Sequence, residues 1–501
     1  MTFAKHVVFI IFSIIVQILS KERNFTNRNR PNFIFILTDD QDVELGGLIP
    51  LQKTKRLLSD KGAIFKNMFV TTPLCCPSRA SILTGLYTHN HGIANNSISG
   101  NCSSKLWQST FEKATFITYL KTENYTTFYA GKYLNQYGFK ASGGVSHIPP
   151  GWDNWIGLVG NSKYYNYTLS VNGKPESHGD DSSDYLTTVM AMTIVTTKAL
   201  KFLQSYKPPQ GPFFMMLAPP SPHKPYIPED KYKKRFNDKH APRTPNFNIH
   251  AQKDKHWLIR QPPNPLPEKV IKYIDNIFKE RWRTLLTVDD MVEKLINILK
   301  EINILNNTYI IFSSDNGFHL GQFSLPEDKR QLYEFDIRVP LIVRGPGIKS
   351  KLELMEPVLN IDFAPTFMDL AGIKIPKDMD GTSFANLLYK KPKSWRNQFF
   401  VEHKGESAKE INGCPQYFNS GVSTCEVDCI CEDSWNNTYL CLRILSLHEN
   451  AICCIFNDNK DFIESYNLTA DPYQLKNLGE KFCSKYQSVN KYLQHILNLI
   501  S

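Results

Sequence analysis

Beyond its first twenty residues, this 501-residue chain has no apolar run long enough to cross a bilayer. It has no internal repeats, no long low-complexity segment, and no basic helix or tail. Those absences exclude a polytopic membrane protein and argue against a nucleic-acid partner, because the lysines and arginines behind the net charge of +10 are scattered. The cysteine-rich stretch from Cys414 to Cys483 has no histidine at zinc-ligand spacing among its cysteines, which favours disulfides over a zinc cluster. For a basic chain without nucleic-acid features, the expected acidic partner is a sulfated or carboxylated glycan.

What is present points to export. Lys5 and His6 precede an apolar run from Val7 to Leu19, and charge returns at Lys21. That run reads as a signal peptide over residues 1–20, with a signal anchor as the other reading. After cleavage no membrane contact is expected. Asn24, Asn95, Asn101, Asn124, Asn166, Asn306, Asn436 and Asn467 each begin an Asn-x-Ser/Thr triplet, as on a glycosylated surface. Export makes disulfides the expected fate of the 11 cysteines, and an odd total leaves at least one unpaired or modified. Cys75 and Cys76 are the candidates.

Hydrophobic residues make up 42% of the chain, enough for a large core. Buried strands are expected at residues 32–38, 125–130, 212–218, 308–314, 340–345 and 398–402. Helical patterns lie between them, the clearest beginning near Arg281 with Leu285, Val288, Val292, Leu295, Leu299 and Ile302 on one face. This alternation predicts an α/β fold with a mostly parallel sheet. A large domain is expected over residues 30–390, followed by a smaller, disulfide-rich subdomain over 391–501. Asp39-Asp40, Gly131-Lys132, the loop with His223, and Asp315-Asn316 each follow a strand. Ligand crevices of open α/β sheets lie beyond the carboxyl ends of the strands, so these groups should converge.

Asp39, Asp40, Asp315 and Asn316 offer only oxygen, which suits a hard cation, Ca²⁺ or Mg²⁺. In "TTPLCCPSRASILTG" (71–85), Pro77 suits the first turn of a helix that stops at Gly85. Cys75 would then lie just before the helix N-terminus, where an anion is favoured, and Arg79 is about one turn away.

Cys75-Cys76-Pro77-Ser78-Arg79 with Leu83-Thr84-Gly85 resembles the sulfatase signature Cys-x-Pro-Ser-Arg-x-x-x-Leu-Thr-Gly. "RPNFIFILTDDQ", "SSDNG", "AGKYLN", "PPSPHKP", "DKRQLYEFDIRVPLIVRGPG" and "YNLTADPYQLKNL" resemble further segments of that family. The resemblance implies a large mixed, mostly parallel sheet sandwiched by helices, as in alkaline phosphatases and sulfatases. It also implies that a formylglycine-generating enzyme oxidises Cys75 to formylglycine. Hydrated to a gem-diol, that aldehyde would attack sulfur and later expel sulfate. One cation, Ca²⁺ rather than Mg²⁺, would sit on Asp39, Asp40, residue 75, Asp315 and Asn316. Arg79, Lys132 and Lys329 would offset developing charge, and a protonated His223 would be the acid for the leaving alcohol.

Many family members continue the Gly-Lys motif with Trp-His. Here Tyr133-Leu134-Asn135 follows, and Asn135 is the candidate replacement. "NHGIANNSISGNCSSKLWQ" and "NFNIHAQKDKHWLIRQ" resemble the branch of the family that removes 6-O-sulfate from N-acetylglucosamine in heparan or keratan sulfate. By that resemblance Lys255, His256, Trp257 and Arg260 are candidates for holding the acidic sugar chain. The endo-acting branch carries a long, highly charged insertion that has no counterpart here, so an exo-acting, lysosomal type is expected, with a secreted enzyme as the alternative. A phosphatase would place Ser or Thr at the nucleophile, and an inactive glycan-binding protein would be expected to lose the cysteine or the carboxylates.

Overall fold

The computed structural model describes residues 30–196, 211–260, 264–406, 437–457 and 461–486. The expected signal peptide, Cys414 to Cys431, and the triplets at Asn24 and Asn436 lie outside the described residues.

Five parallel strands form the centre of a ten-stranded sheet, in the spatial order Thr308–Ser314, Asn32–Thr38, Phe213–Ala218, Thr126–Lys132, Asn154–Leu158. Their apolar runs are continuous because both faces are covered. Every residue of Asn32–Thr38 is buried. Phe33, Phe35 and Leu37 belong to one core, while Ile34 and Ile36 belong to the opposite one, the period-two alternation of a strand. In the first core the Phe33 ring lies 5.7 Å from Tyr125 and 5.6 Å from Phe367. In the second, helix Glu268–Glu301 packs Leu285, Val288, Val292, Leu295 and Leu299 with Ile34, Ile36 and Phe312.

That helix begins at Glu268, right after Pro267, rather than near Arg281. Its first turns bury Val270, Ile274, Ile277 and Phe278 in a separate cluster with Leu45 and Phe318. Antiparallel strands extend both edges. Leu341–Arg344 pairs with Thr308–Ser314 on one side, and the Thr168–Val171 and Lys174–Ser177 hairpin follows Asn154–Leu158 on the other. The sheet is therefore mixed, with a parallel centre.

Strands Gln398–His403, Tyr439–Leu445, Asn450–Phe456 and Ile463–Asn467 form a second, antiparallel sheet. Disulfides Cys441–Cys454 and Cys453–Cys483 pin it. Phe399, Val401, Tyr439 and Ile452 share the core of Phe33. Among the described residues no helix is long and apolar enough to cross a membrane. Asn124, Asn166 and Asn306 are exposed, whereas Asn95 is buried and its Oδ1 accepts from the Ser97 amide and hydroxyl.

One ionic contact ties the small sheet to the turn after Gly85. The Glu402 carboxylate accepts from the His89 amide at 3.1 Å and lies 2.8 Å from His89 Nδ1. Burial works to lower the His89 pKa, but the bond and charge of Glu402 outweigh it and raise it above the ordinary value. A raised histidine pKa means stability that is complete below the unfolded value, near 6.5, and is lost as pH climbs through the folded value. His89→Gln should therefore cost about 1–2 kcal/mol at pH 5 and much less at pH 8, read as the gap in Tm from the parent. An equal gap at both pH values would remove the ionic contribution.

Candidate active site

The carboxyl ends of four central strands deliver most of the side chains, the helix Cys75–Thr84 supplies Cys75 and Arg79, and the loop before Glu334 supplies Lys329. The first central strand ends in Asp39 and Asp40, and Asp40 stands at φ 63°, a strained conformation for a residue other than glycine. The Asp40 amide donates to Asp315 Oδ1 at 3.0 Å, and the Gln41 amide donates to Ser314 Oγ at 2.8 Å. Neighbouring strand ends thus hold the turn in place.

Cys75 is the first residue of its helix, one position further in than expected, with Leu74 as the extended N-cap. No side chain of the cap satisfies the first turn. Instead Asn96 Oδ1 accepts from the Cys76 amide at 2.9 Å. Cys76 forms a disulfide with Cys102, which leaves Cys75 as the free cysteine among the described residues. Gly85 ends the helix at φ 74°, where glycine carries no Cβ penalty.

The charged groups meet in pairs. Lys132 Nζ donates to both Asp39 oxygens at 2.9 and 3.0 Å. Lys329 Nζ donates to Asp40 Oδ2 at 2.8 Å, and Arg79 Nε donates to Asp315 Oδ2 at 2.7 Å. Asn316 Nδ2 donates to Asp40 Oδ1 at 2.8 Å, and Cys75 Sγ lies 3.7 Å from that same oxygen. His223 Nδ1 is 2.6 Å from the Lys224 carbonyl, which makes Nδ1 the protonated nitrogen of the neutral ring, and Nε2 lies 3.9 Å from Asp40 Oδ2.

Burial dominates the electrostatics. It works to raise the Asp40 pKa, yet Lys329 and His223 bring it down to about 2. Burial works to raise Asp39 as well, but Lys132, His223 and Arg79 together hold it well below the usual carboxylate range. Asp315 goes the other way: burial pushes it up to about 7 despite Arg79. Burial pushes the Cys75 thiol up to about 12 and lowers His223 against the pull of Asp39 and Asp40. As a thiol, Cys75 is protonated and a poor nucleophile.

The residues fit a divalent cation. Asp39, Asp40, Cys75 and His223 bring one candidate ligand atom each within 4.8 Å of one another. Asn316 Oδ1 is buried without a hydrogen-bond partner, an acceptor facing no donor. Burial raises Asp315 despite its pair with Arg79, so the compensation of its charge is incomplete. Carboxylate and amide oxygens are hard donors. His223 was not among the expected ligands, yet it stands within the same cluster.

A cavity of about 190 Å³ opens onto this centre, lined by Asp40, His223, Lys329 and Phe318, with Asn96 and Asn161 also in its wall. Asn135 is set back from it. It is buried, its Nδ2 is 3.4 Å from Asn161 Oδ1, and Asn161 forms the wall in its place. The expected sugar-holding group is also corrected. Lys255 is buried, with its amine bonded to the Tyr466 hydroxyl and the Gln474 carbonyl and 4.7 Å from the Phe323 ring centroid. His256 stacks on Phe456 at 3.8 Å. Trp257 and Arg260, on the turn that follows, are half-buried, and none of the four lines the cavity. Lys255 and His256 fasten their loop to the small sheet.

Two residues of the centre escaped the sequence reading. Ser162 Oγ donates to Asp39 Oδ2, and Asn96 caps the Cys75 helix from 20 residues away. Ser162 stands in no motif, and Asn96, though inside the segment that begins at Asn90, was not singled out there, so only the fold brings them in.

Comparison with known proteins gives a consistent result. The family described as Sulfatase matches residues 31–373. N-acetylglucosamine-6-sulfatases from Capra hircus and Homo sapiens are each 51% identical over 455 residues, 90% of this chain, and the chain covers 80% and 81% of their lengths. A solved structure described as a complex with its substrate D-glucosamine-2-N,6-O-disulfate superposes with a TM-score of 0.73 at 24% identity, covering 94% of this chain and 97% of its own. At that identity the likeness speaks for the fold.

The raised thiol pKa has a direct readout. In metal-stripped protein carrying unmodified Cys75, burial keeps the thiol protonated at pH 8. Iodoacetamide should leave native Cys75 unlabelled over hours and label it within minutes after unfolding, as followed by peptide mass spectrometry. Rapid native labelling would overturn the burial argument.

Proposed function

The chain belongs to the sulfatase family, and on that premise we propose that it removes the 6-O-sulfate of N-acetylglucosamine from the non-reducing end of heparan or keratan sulfate fragments. The observation that carries this reading is the position of residue 75. It stands on the first turn of a buried helix, 3.7 Å from an Asp40 oxygen, beside three cations already paired with carboxylates. The 51% identity to N-acetylglucosamine-6-sulfatases over 90% of the chain supports the choice of sulfated sugar.

Residue 75 acts as the hydrated aldehyde that a formylglycine-generating enzyme makes from Cys75. One hydroxyl of the gem-diol attacks sulfur, the S–O bond to the sugar breaks, and the sulfate is left on residue 75. Loss of the proton from the second hydroxyl re-forms the aldehyde and breaks the C–O bond to sulfate, and water then restores the diol. Asp39, Asp40, residue 75, Asp315 and Asn316 would hold a divalent cation, proposed as calcium, whose charge would polarise the sulfate oxygens and acidify the attacking hydroxyl. Lys132, Lys329 and Arg79 are held in place before substrate arrives, so no reorganisation is needed when negative charge builds. His223 delivers the proton to the departing sugar oxygen from Nε2, because Nδ1 is committed to the Lys224 carbonyl.

Delivery through the secretory pathway to the lysosome completes the proposal, with the expected signal peptide and exposed Asn124, Asn166 and Asn306 as glycan carriers. The acid-favoured His89–Glu402 contact suits that compartment.

Two outcomes test the reading. A heparan oligosaccharide with 6-sulfates at terminal and internal glucosamines should lose only the terminal sulfate, measured by mass spectrometry. Internal release at a comparable rate would make the enzyme endo-acting.

The second outcome concerns pH. Because burial lowers the His223 pKa, the acid form is populated only below the ordinary value, so kcat/KM should fall as pH rises, with its midpoint below about 6.5. His223→Ala should cost about 100-fold or more on the sugar and little on an activated aryl sulfate. Equal losses on both would remove the acid role.

A further inference from the structure

We infer that Arg281 is a positioning residue that locks the cation-binding turn to the loop of the leaving-group acid, so that Asp40 and His223 keep their relative places. The inference rests on the acid role proposed above for His223. Arg281 interrupts the apolar stripe of helix Glu268–Glu301 and is 2% exposed. A guanidinium buried that far must be fully engaged to be tolerated, and its partners are all parts of the active centre. One terminal nitrogen donates to the Asp40 carbonyl at 2.7 Å and to Asp42 Oδ1 at 3.0 Å. The other donates to the Pro222 carbonyl, next to His223, at 3.3 Å. The guanidinium carbon sits 3.9 Å from the ring centroid of Phe318, which lines the catalytic cavity.

The rigid fork of a guanidinium explains the choice of residue. It can serve two backbone carbonyls on different loops and a carboxylate at once, and its flat face can lie on an aromatic ring. A lysine ammonium has the charge without the fork. The geometry also accounts for the strain at Asp40. A residue held at φ 63° persists only where its surroundings over-determine it. Its amide is tied to Asp315 and its carbonyl to Arg281. The Asp39 amide donates to the Ser221 carbonyl at 3.0 Å, which already joins the two loops on one side. Arg281 closes the other side from the helix. Asp42 completes the unit by accepting from the Leu45 amide at 2.8 Å. Neither Arg281 nor Asp42 lines the cavity, so Arg281 acts through Asp40 and His223.

The test uses the mature, formylglycine-bearing enzyme. Arg281→Met, Arg281→Lys and the double variant Arg281→Met/Asp42→Asn, which avoids an unpaired buried carboxylate if the single change fails to fold, are assayed on a 6-sulfated glucosamine and on an activated aryl sulfate. Cation affinity is measured by calcium titration. The expected result is a kcat loss of about 100-fold on the sugar, a loss at least tenfold smaller on the aryl ester, and a calcium Kd raised about tenfold. Adding His223→Ala to Arg281→Met should then cost little more on the sugar, because the acid is already misplaced. Arg281→Lys should recover calcium affinity better than the leaving-group effect. Equal losses on both substrates, or full additivity with His223→Ala, would overturn the positioning role. If His223→Ala alone shows no difference between the substrates, the acid reading fails instead. The calcium Kd then decides the matter for Arg281, and an unchanged Kd overturns it.

Discussion

Three carboxylates buried at the ends of neighbouring strands cannot stay ionised unless positive charge is brought to them, and much of the centre is arranged to meet that constraint. Asp39 takes Lys132, Asp40 takes Lys329, and Asp315 takes Arg79. Each cation comes from a different segment, so the pairs hold a strand end, a helix and a loop to a common point. Buried ion pairs contribute little net stability, because desolvation offsets their attraction. Their value here is positional. A lysine held by an aspartate cannot swing away when a sulfate arrives, and the carboxylates are prepared for a cation in the same arrangement. Asp315, with its pKa raised to about 7, and the unpartnered Asn316 Oδ1 show where the compensation is unfinished.

The scaffold follows from that demand. Parallel strands all end on one side, which places several loops at one rim. Covering both faces of the sheet calls for helices, and the same helices deliver polar groups to the rim. Cys75 arrives on one helix and Arg281 on another. The small sheet contributes from outside. Its strand Gln398–His403 shares the main core, and Tyr466 and Phe456 receive Lys255 and His256. Residues that look suited to an acidic glycan are spent on that junction, since a cation surrounded by aromatic rings can be satisfied without reaching solvent.

The central strands were legible because a strand covered on both faces must be a continuous apolar run, and such runs are few and bounded by polar turns. Cys75, the free cysteine among the described residues, stood out because its neighbours match a family signature in a fixed register. The start of the long helix was misplaced because Val270 to Phe278 serve a different core from Leu285 to Leu299, and a single stripe cannot reveal two destinations. Lys255 and His256 were misread for a related reason: charge in a loop does not say whether the loop faces a cavity or another sheet.

Residue type and local spacing by themselves indicated which polar segments follow buried strands and that Asp39, Asp40, Asp315 and Asn316 stand there, because those depend on short-range pattern, while the reading of residue 75 came from its match to a family signature. Tertiary structure alone decided that Cys76 pairs with Cys102, that Asn96 caps the Cys75 helix, that Ser162 and Arg281 brace the carboxylates, and that Asn161 rather than Asn135 lines the cavity. Each of these is a contact between residues far apart along the chain or a choice of which neighbour faces a cavity. Such contacts arise from how elements pack, and packing distances are not written in the local order of residues.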